Sequence, residues 1–204
     1  MLTLSALFHQ SNLTKVHLFT MGNPIIPGHP NIKELGFVHA AFFITVEEAQ
    51  PNTPFHPNEH ASIGKTNGSA ERITYVSFNV GQMSAYPGAT MNSKCFLVPL
   101  PTTVDSAGSK TVEIFSLSPS KTFGTSMTFN GRVNPGNQLG NATFGGQNGT
   151  QVVSMENFAP PTPNFGGIQQ FQVRSTGDNA RITFDVSPVN VSPNGMALVI
   201  ANVS

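Results

Sequence analysis

The chain has 204 residues, with ten Lys plus Arg against ten Asp plus Glu, so its formal net charge is zero. That balance excludes the basic footprint of a nucleic-acid binder or of a protein held on an anionic membrane, and no apolar run approaches the roughly eighteen residues of a spanning helix. A single cysteine, Cys95, excludes an internal disulfide and a cysteine-based zinc site, while the length suffices for one large β-sandwich or two small domains.

Charged residues make up 10% of the chain, against roughly 25% in an average soluble protein. Polar surface therefore has to come from Asn, Ser, Thr and Gln, which together with 19 Gly and 16 Pro is a composition common among secreted β-proteins.

Residues 1–30 begin with an apolar stretch that has no basic leader region and is interrupted by His9-Gln10-Ser11-Asn12, too early for a signal peptide. They read as a poorly packed N-terminal arm or a misassigned start, ahead of a single domain over 31–204. The first convincing strand covers 36–46, nearly continuous in apolar residues and so expected to be central. It stops at Gln50-Pro51-Asn52-Thr53-Pro54, where two prolines forbid a continuing ladder. A polar loop is expected up to about residue 70. Residues 72–80 then alternate, with Thr74, Val76, Phe78 and Val80 on one face.

A short apolar strand over 94–100 is expected to stop at Pro101. Another covers 110–117, with Val112 and Ile114 on one side and Phe115 and Leu117 completing the run. Residues 131–149 hold six glycines and four asparagines and are expected to form a long loop or a pair of turns. Four more strands follow at 151–155, 168–174, 180–186 and 196–203. In 180–186, Ile182, Phe184 and Val186 point one way and Arg181, Thr183 and Asp185 the other. The strands at 168–174 and 180–186 are expected to form a hairpin through Ser175-Thr176-Gly177-Asp178-Asn179, with its Gly-Asp turn signal. Only 31–36 and 83–85 have room for a helical turn. About eight to nine short strands at this spacing predict an all-β fold, an antiparallel two-sheet β-sandwich or jelly-roll-like domain.

The chemical motifs are weak. Gly64-Lys65-Thr66 resembles the tail of a phosphate-binding loop, but Glu59 stands where the leading glycine belongs, and no helix pattern follows. His56, Glu59 and His60 could chelate a metal only from a loop, because Pro57 opposes a helix covering both histidines; they read as loop residues. His39, within an apolar strand, reads as a core histidine. Cys95 reads as a structural thiol, since its neighbour Lys94 faces the other way along a strand. Glu47 and Glu48 lie on opposite faces of a strand end and cannot act as an acid–base couple on one glycosidic bond. No nucleophile elbow or zinc-helix motif occurs. With Trp absent and only Tyr75 and Tyr86 as tyrosines, the sixteen phenylalanines read as core rather than as a sugar-stacking platform.

Two features point to opposite compartments. A lone thiol is unusual in an oxidising environment and favours the cytosol. Six glycosylation sequons, at Asn12, Asn67, Asn141, Asn148, Asn190 and Asn202, favour secretion, although the composition alone yields about three or four by chance.

The ordered strand edges Phe42-Phe43-Ile44-Thr45-Val46, Gln50-Pro51-Asn52-Thr53-Pro54, Ser77-Phe78-Asn79-Val80, Lys94-Cys95-Phe96-Leu97-Val98-Pro99-Leu100, Gly108-Ser109-Lys110-Thr111-Val112-Glu113-Ile114 and Arg174-Ser175-Thr176-Gly177-Asp178-Asn179 together resemble the fungal But-two C-terminal domain family over about 31–204. That family is named after a yeast protein that binds the activating enzyme of a ubiquitin-like modifier. The resemblance implies a β-sandwich, usually in secreted or cell-surface fungal proteins, without an established enzymatic activity. It also implies a second cysteine near Phe158-Ala159-Pro160 as the partner of the one matching Cys95, and this chain has none there.

The leading expectation is a non-catalytic secreted or cell-wall-associated fungal protein, with no cofactor and no catalytic or metal site. A protein or a cell-wall glycan is its expected partner, and nucleic acid is not. An intracellular module linked to a ubiquitin-like pathway, in the cytoplasm, is the alternative. A glycan-binding module or carbohydrate-active fragment using a cleft around 131–149 ranks third.

Overall fold

The structure is a computed structural model that describes residues 32–54, 60–65, 70–80, 94–98, 100–105, 110–117, 122–144, 153–158, 167–176, 180–185 and 196–203. The expected arm at 1–30 and the expected turn at 83–85 lie outside the described residues. Alternating side chains and frequent turn residues break the rest into eleven strands, and no α-helix occurs among the described residues. They are β1 (Ile32–Glu47), β2 (His60–Lys65), β3 (Arg72–Asn79), β4 (Lys94–Val98), β5 (Leu100–Asp105), β6 (Lys110–Ser116), β7 (Gln138–Phe144), β8 (Val153–Ser154), β9 (Ile168–Thr176), β10 (Ala180–Asp185) and β11 (Ala197–Val203). Every pairing is antiparallel. Among the described residues no helix is long and apolar enough to cross a membrane.

One hydrogen-bonded path runs β5-β10-β2-β3-β1-β11-β4-β8, and a branch leads from β3 through β9 and β6 to β7. β1 serves two ladders in turn. Its first half, from Ile32 to His39, pairs with β11, and its second, from Ala40 to Glu47, pairs with β3. The register shifts between Ala40 and Phe42, beside the bond from Ala40 N–H to the Met196 carbonyl (3.0 Å). The strand expected to be central is thus a joint between ladders. The expected helical turn at 31–36 is corrected as well, because residues 32–36 are drawn into the β11 ladder.

Three strands were hidden in the sequence. β2 lies within the expected polar loop; its Ala61 and Ile63 are fully buried. β5 runs through Pro101, which did not end the pairing. Pro101 sits opposite Phe184, next to a register shift, on a strand that pairs only with β10 among the described residues, the edge-and-bulge setting in which a missing N–H is tolerated. β7 occupies the centre of the expected 131–149 loop and buries Leu139 and Phe144.

The expected hairpin between 168–174 and 180–186 does not form. Both edges of β9 are taken, by β3 and β6, and both edges of β10 are taken, by β2 and β5. A local Gly-Asp turn signal cannot pair two strands whose edges are already satisfied by longer ladders.

The largest apolar cluster gathers Val38, Ala61, Ile63, Val76, Phe78, Val80, Cys95, Val112, Ile114, Phe144, Val153, Phe171, Ile182 and Leu198 among others, drawing on nearly every strand. A second cluster lies on the opposite face of β1 and β3, where Ile44, Val46, Ile73 and Tyr75 are covered by Leu117, Phe123, Met127 and Phe129. Residues 122–137 therefore act as a strap across that face. Coverage on both faces explains why β1 reads as a nearly continuous apolar run.

The path also returns on itself. Asn157 N–H donates to the Leu139 carbonyl of β7 at 3.1 Å, just after β8, so the two far ends of the strand network meet. A Cβ added to Gly140 would collide with the Ser154 carbonyl oxygen, so only glycine admits this approach. Gly140→Ala should lower stability by about 1–3 kcal/mol, while Gly124→Ala, with open space around it, should be neutral or slightly stabilising. Urea denaturation of the two variants beside the parent checks both.

Candidate functional site

Two polar seams lie inside the fold. In the first, the Thr45 and Thr74 hydroxyls meet at 2.9 Å, and Thr74 Oγ1 donates to the Ser62 carbonyl at 2.9 Å. Arg72 Nε donates to Glu47 Oε1 at 2.8 Å, and its Nη1 donates to Ser62 Oγ at 3.2 Å. This seam ties β2 to β1 and β3, although β2 and β3 share only the backbone pairing Gly64–Arg72. Gly64 holds φ 90° there, a conformation that other residues adopt only with strain.

The second seam holds the strap. Tyr75 OH donates to the Val133 carbonyl at 2.7 Å, and Gln172 Nε2 donates to Tyr75 OH at 2.7 Å. Asn130 adds a backbone bond to the Pro51 carbonyl and a side-chain bond to Asn52 Oδ1, both 2.9 Å. Arg132 lies over the Phe129 ring at 4.0 Å and donates to the Phe129 carbonyl at 2.7 Å. Burial raises the Tyr75 phenol to about 12, opposed in part by its bond with Gln172.

The outward face of β7, β6 and β9 carries a group of polar side chains. Register places Asn141 beside Glu113 and Glu113 beside Arg174. Glu113 Oε2 accepts from Arg174 Nε at 3.3 Å, and its Oε1 accepts from Gln138 Nε2 at 3.3 Å. The Arg174 guanidinium lies over the Phe115 ring at 4.3 Å. Both Glu113 oxygens are thus engaged by neighbouring side chains.

The sequence-derived candidates fall apart in space. Cys95 is fully buried and free, and burial pushes its thiol up to about 12, as expected of a structural thiol. Glu47 pairs with Arg72, whereas Glu48 Oε2 accepts the Glu71 N–H at 3.1 Å, so the two carboxylates serve separate partners. Gly64 and Lys65 end a strand, and Thr66 lies outside the described residues. His56 and Glu59 also lie outside them, and of His39 and His60 only the backbone in β1 and β2 is described. Asn141 is exposed on β7, and Asn202 pairs with Lys33 in β11. Asn12, Asn67, Asn148 and Asn190 lie outside the described residues. Sequence reasoning passed over Gln172, Arg174 and Glu113, because single polar residues on alternating strands look alike until register pairs them.

No family model and no curated protein matches this chain.

Tyr75→Phe removes the donor to Val133 and should cost about 1–3 kcal/mol; hydrogen exchange over 122–137 should accelerate more than exchange in β10. Cys95 and Tyr75 both have folded pKa values raised to about 12 from ordinary values of 9.0 and 10.0. Their contribution is complete below about pH 9 and is lost as pH rises from there through about 12, because the unfolded chain ionises first. Stability should therefore fall in that window by up to about 1.4 kcal/mol per pH unit and per group. Cys95→Ala should flatten the first part of that decline in urea titrations.

Proposed function

We propose that this chain is a non-catalytic, secreted or cell-wall-associated fungal β-sandwich protein of the But-two C-terminal type. The observation that carries the reading is the position of the one thiol. A lone thiol favoured the cytosol because free thiols are unusual in an oxidising environment. Fully buried, with its pKa raised to about 12, Cys95 is an inert hydrophobe that persists in an oxidising compartment. Its burial answers the objection drawn from the lone thiol, and the low charge and the sequons support secretion.

The sandwich is supported by the main apolar cluster, which unites side chains of β11, β4 and β8 with those of β3, β9 and β6. The family assignment is supported by the surroundings of Cys95. Met155 N–H donates to the Cys95 carbonyl at 2.9 Å, and Phe158 N–H donates to the Met155 carbonyl at 3.0 Å, so the segment in which relatives would carry their second cysteine starts beside the first. The non-catalytic reading is supported by the engagement of Glu47, Glu113 and Tyr75 in structural bonds.

Fractionation of the native host followed by peptide mass spectrometry tests the compartment. Recovery from the medium or wall is expected, and recovery confined to the cytosol would overturn the reading. Native Cys95 should react with an aromatic disulfide reagent at least about a hundredfold more slowly than in denaturant. Equal rates would remove the argument from burial.

A further inference from the structure

β7 is an edge strand with an unusual surface. Among the described residues it pairs with β6 alone; on its other side the β8 segment meets its first half, where Asn157 donates to the Gln138 and Leu139 carbonyls and the Ser154 carbonyl abuts Gly140, and no described strand pairs with residues 141–144 there. Exposed edges invite pairing with a second chain, and proteins block them with charge, proline or a bulge. Gln138–Phe144 reads Gln-Leu-Gly-Asn-Ala-Thr-Phe, without charge or proline. Its one register shift falls near Gln138, leaving 140–144 regular.

The middle of this edge carries Asn141 and, two residues on, Thr143. Both side chains are exposed and point to the same side of the strand, while Leu139 and Phe144 are buried. Neighbouring Gln138, Glu113 and Arg174 are bonded to one another, but the Asn141 amide makes no hydrogen bond among the described residues. It is accessible and uncommitted, with the hydroxyl that a glycosylation acceptor requires already in place.

We propose that Asn141 is an N-glycosylation site whose glycan guards the β7 edge against pairing with a second copy of the chain. The inference rests on the secretory reading above. The co-reactant is an oligosaccharide carried on a polyprenyl diphosphate. Asn141 Nδ2 attacks the anomeric carbon, the new C–N bond replaces the C–O bond to diphosphate, the lipid diphosphate departs, and the amide proton passes to a base of the transferase. The glycan projects from the outward face beside the free edge, where its bulk and hydration oppose the approach of another strand.

The test is the full chain, sent through a eukaryotic secretory host by an appended leader, so that its outcome is independent of the native compartment. Peptide mapping should show the Asn141 peptide glycosylated in the parent and in Thr143→Ser, and bare in Thr143→Ala and Asn141→Gln. The two bare variants, and parent protein deglycosylated enzymatically after folding, should self-associate several-fold more at equal concentration in light scattering. An Asn141 peptide that stays bare on secreted parent carrying sugar at another sequon overturns the site. Unchanged association after enzymatic removal overturns the guarding role. Failure of the secretory reading shows separately, as native protein confined to the cytosol.

Discussion

The fold depends on one strand serving two ladders. β1 spends its first half on β11 and its second on β3, and the register break between Ala40 and Phe42 is where it transfers. Among the described residues, without that transfer β11, β4 and β8 would be joined to the remaining strands by side-chain packing and by the bonds from Asn157 to Leu139 and Gln138. A long strand can do this because a bulge bends and twists the backbone without ending it. The second half of β1 then needs cover on both faces. The main cluster supplies one side, and the strap over 122–137 supplies the other.

The polar seams follow from the same geometry. Where β2 meets β3 at a single backbone pairing, the ladder leaves groups that would be buried without partners, and Thr45, Thr74, Ser62, Arg72 and Glu47 satisfy one another instead. Buried hydroxyls and charges are tolerated when each is bonded, and breaking one partner costs more than the pair contributes. Tyr75 plays the corresponding part for the strap. Its ring packs beside Phe123 at 5.6 Å while its hydroxyl secures Val133, so one side chain supplies both apolar cover and a directional bond.

Much of this was legible where the period of two was undisturbed. The inward set Val76, Phe78 and Val80, the pair Val112 and Ile114, and Ile182 lie in the main cluster as their alternation implied, and Cys95 is buried with them. The strands that escaped were those whose local chemistry imitates loops. β7 hides its buried Leu139 and Phe144 among glycine and asparagine, and Gly140 is there for a backbone approach that only the folded chain reveals. β5 contains a proline that is harmless at an edge. The Gly-Asp signal after β9 failed because strand pairing is decided by which edges are already filled, a long-range fact that no local turn carries. Of the outward face, Asn141 was visible as a motif. Its neighbours Glu113, Gln138 and Arg174 became a group only through register.

Charge distribution links composition to surface behaviour. The chain has only ten cationic and ten anionic residues, and two cross-strand pairs, Arg72–Glu47 and Arg174–Glu113, bind part of that small supply to each other. Repulsion between like-charged molecules, which keeps many proteins apart, is therefore weak for a chain of zero net charge. Separation must come from neutral hydration of amides and hydroxyls, from shape, or from groups added after synthesis. The two-residue β8 offers too short a row of backbone groups to template a partner strand. β7 has seven residues and no charge, so it is at this edge that a surface poor in ions most needs a steric or hydrated barrier.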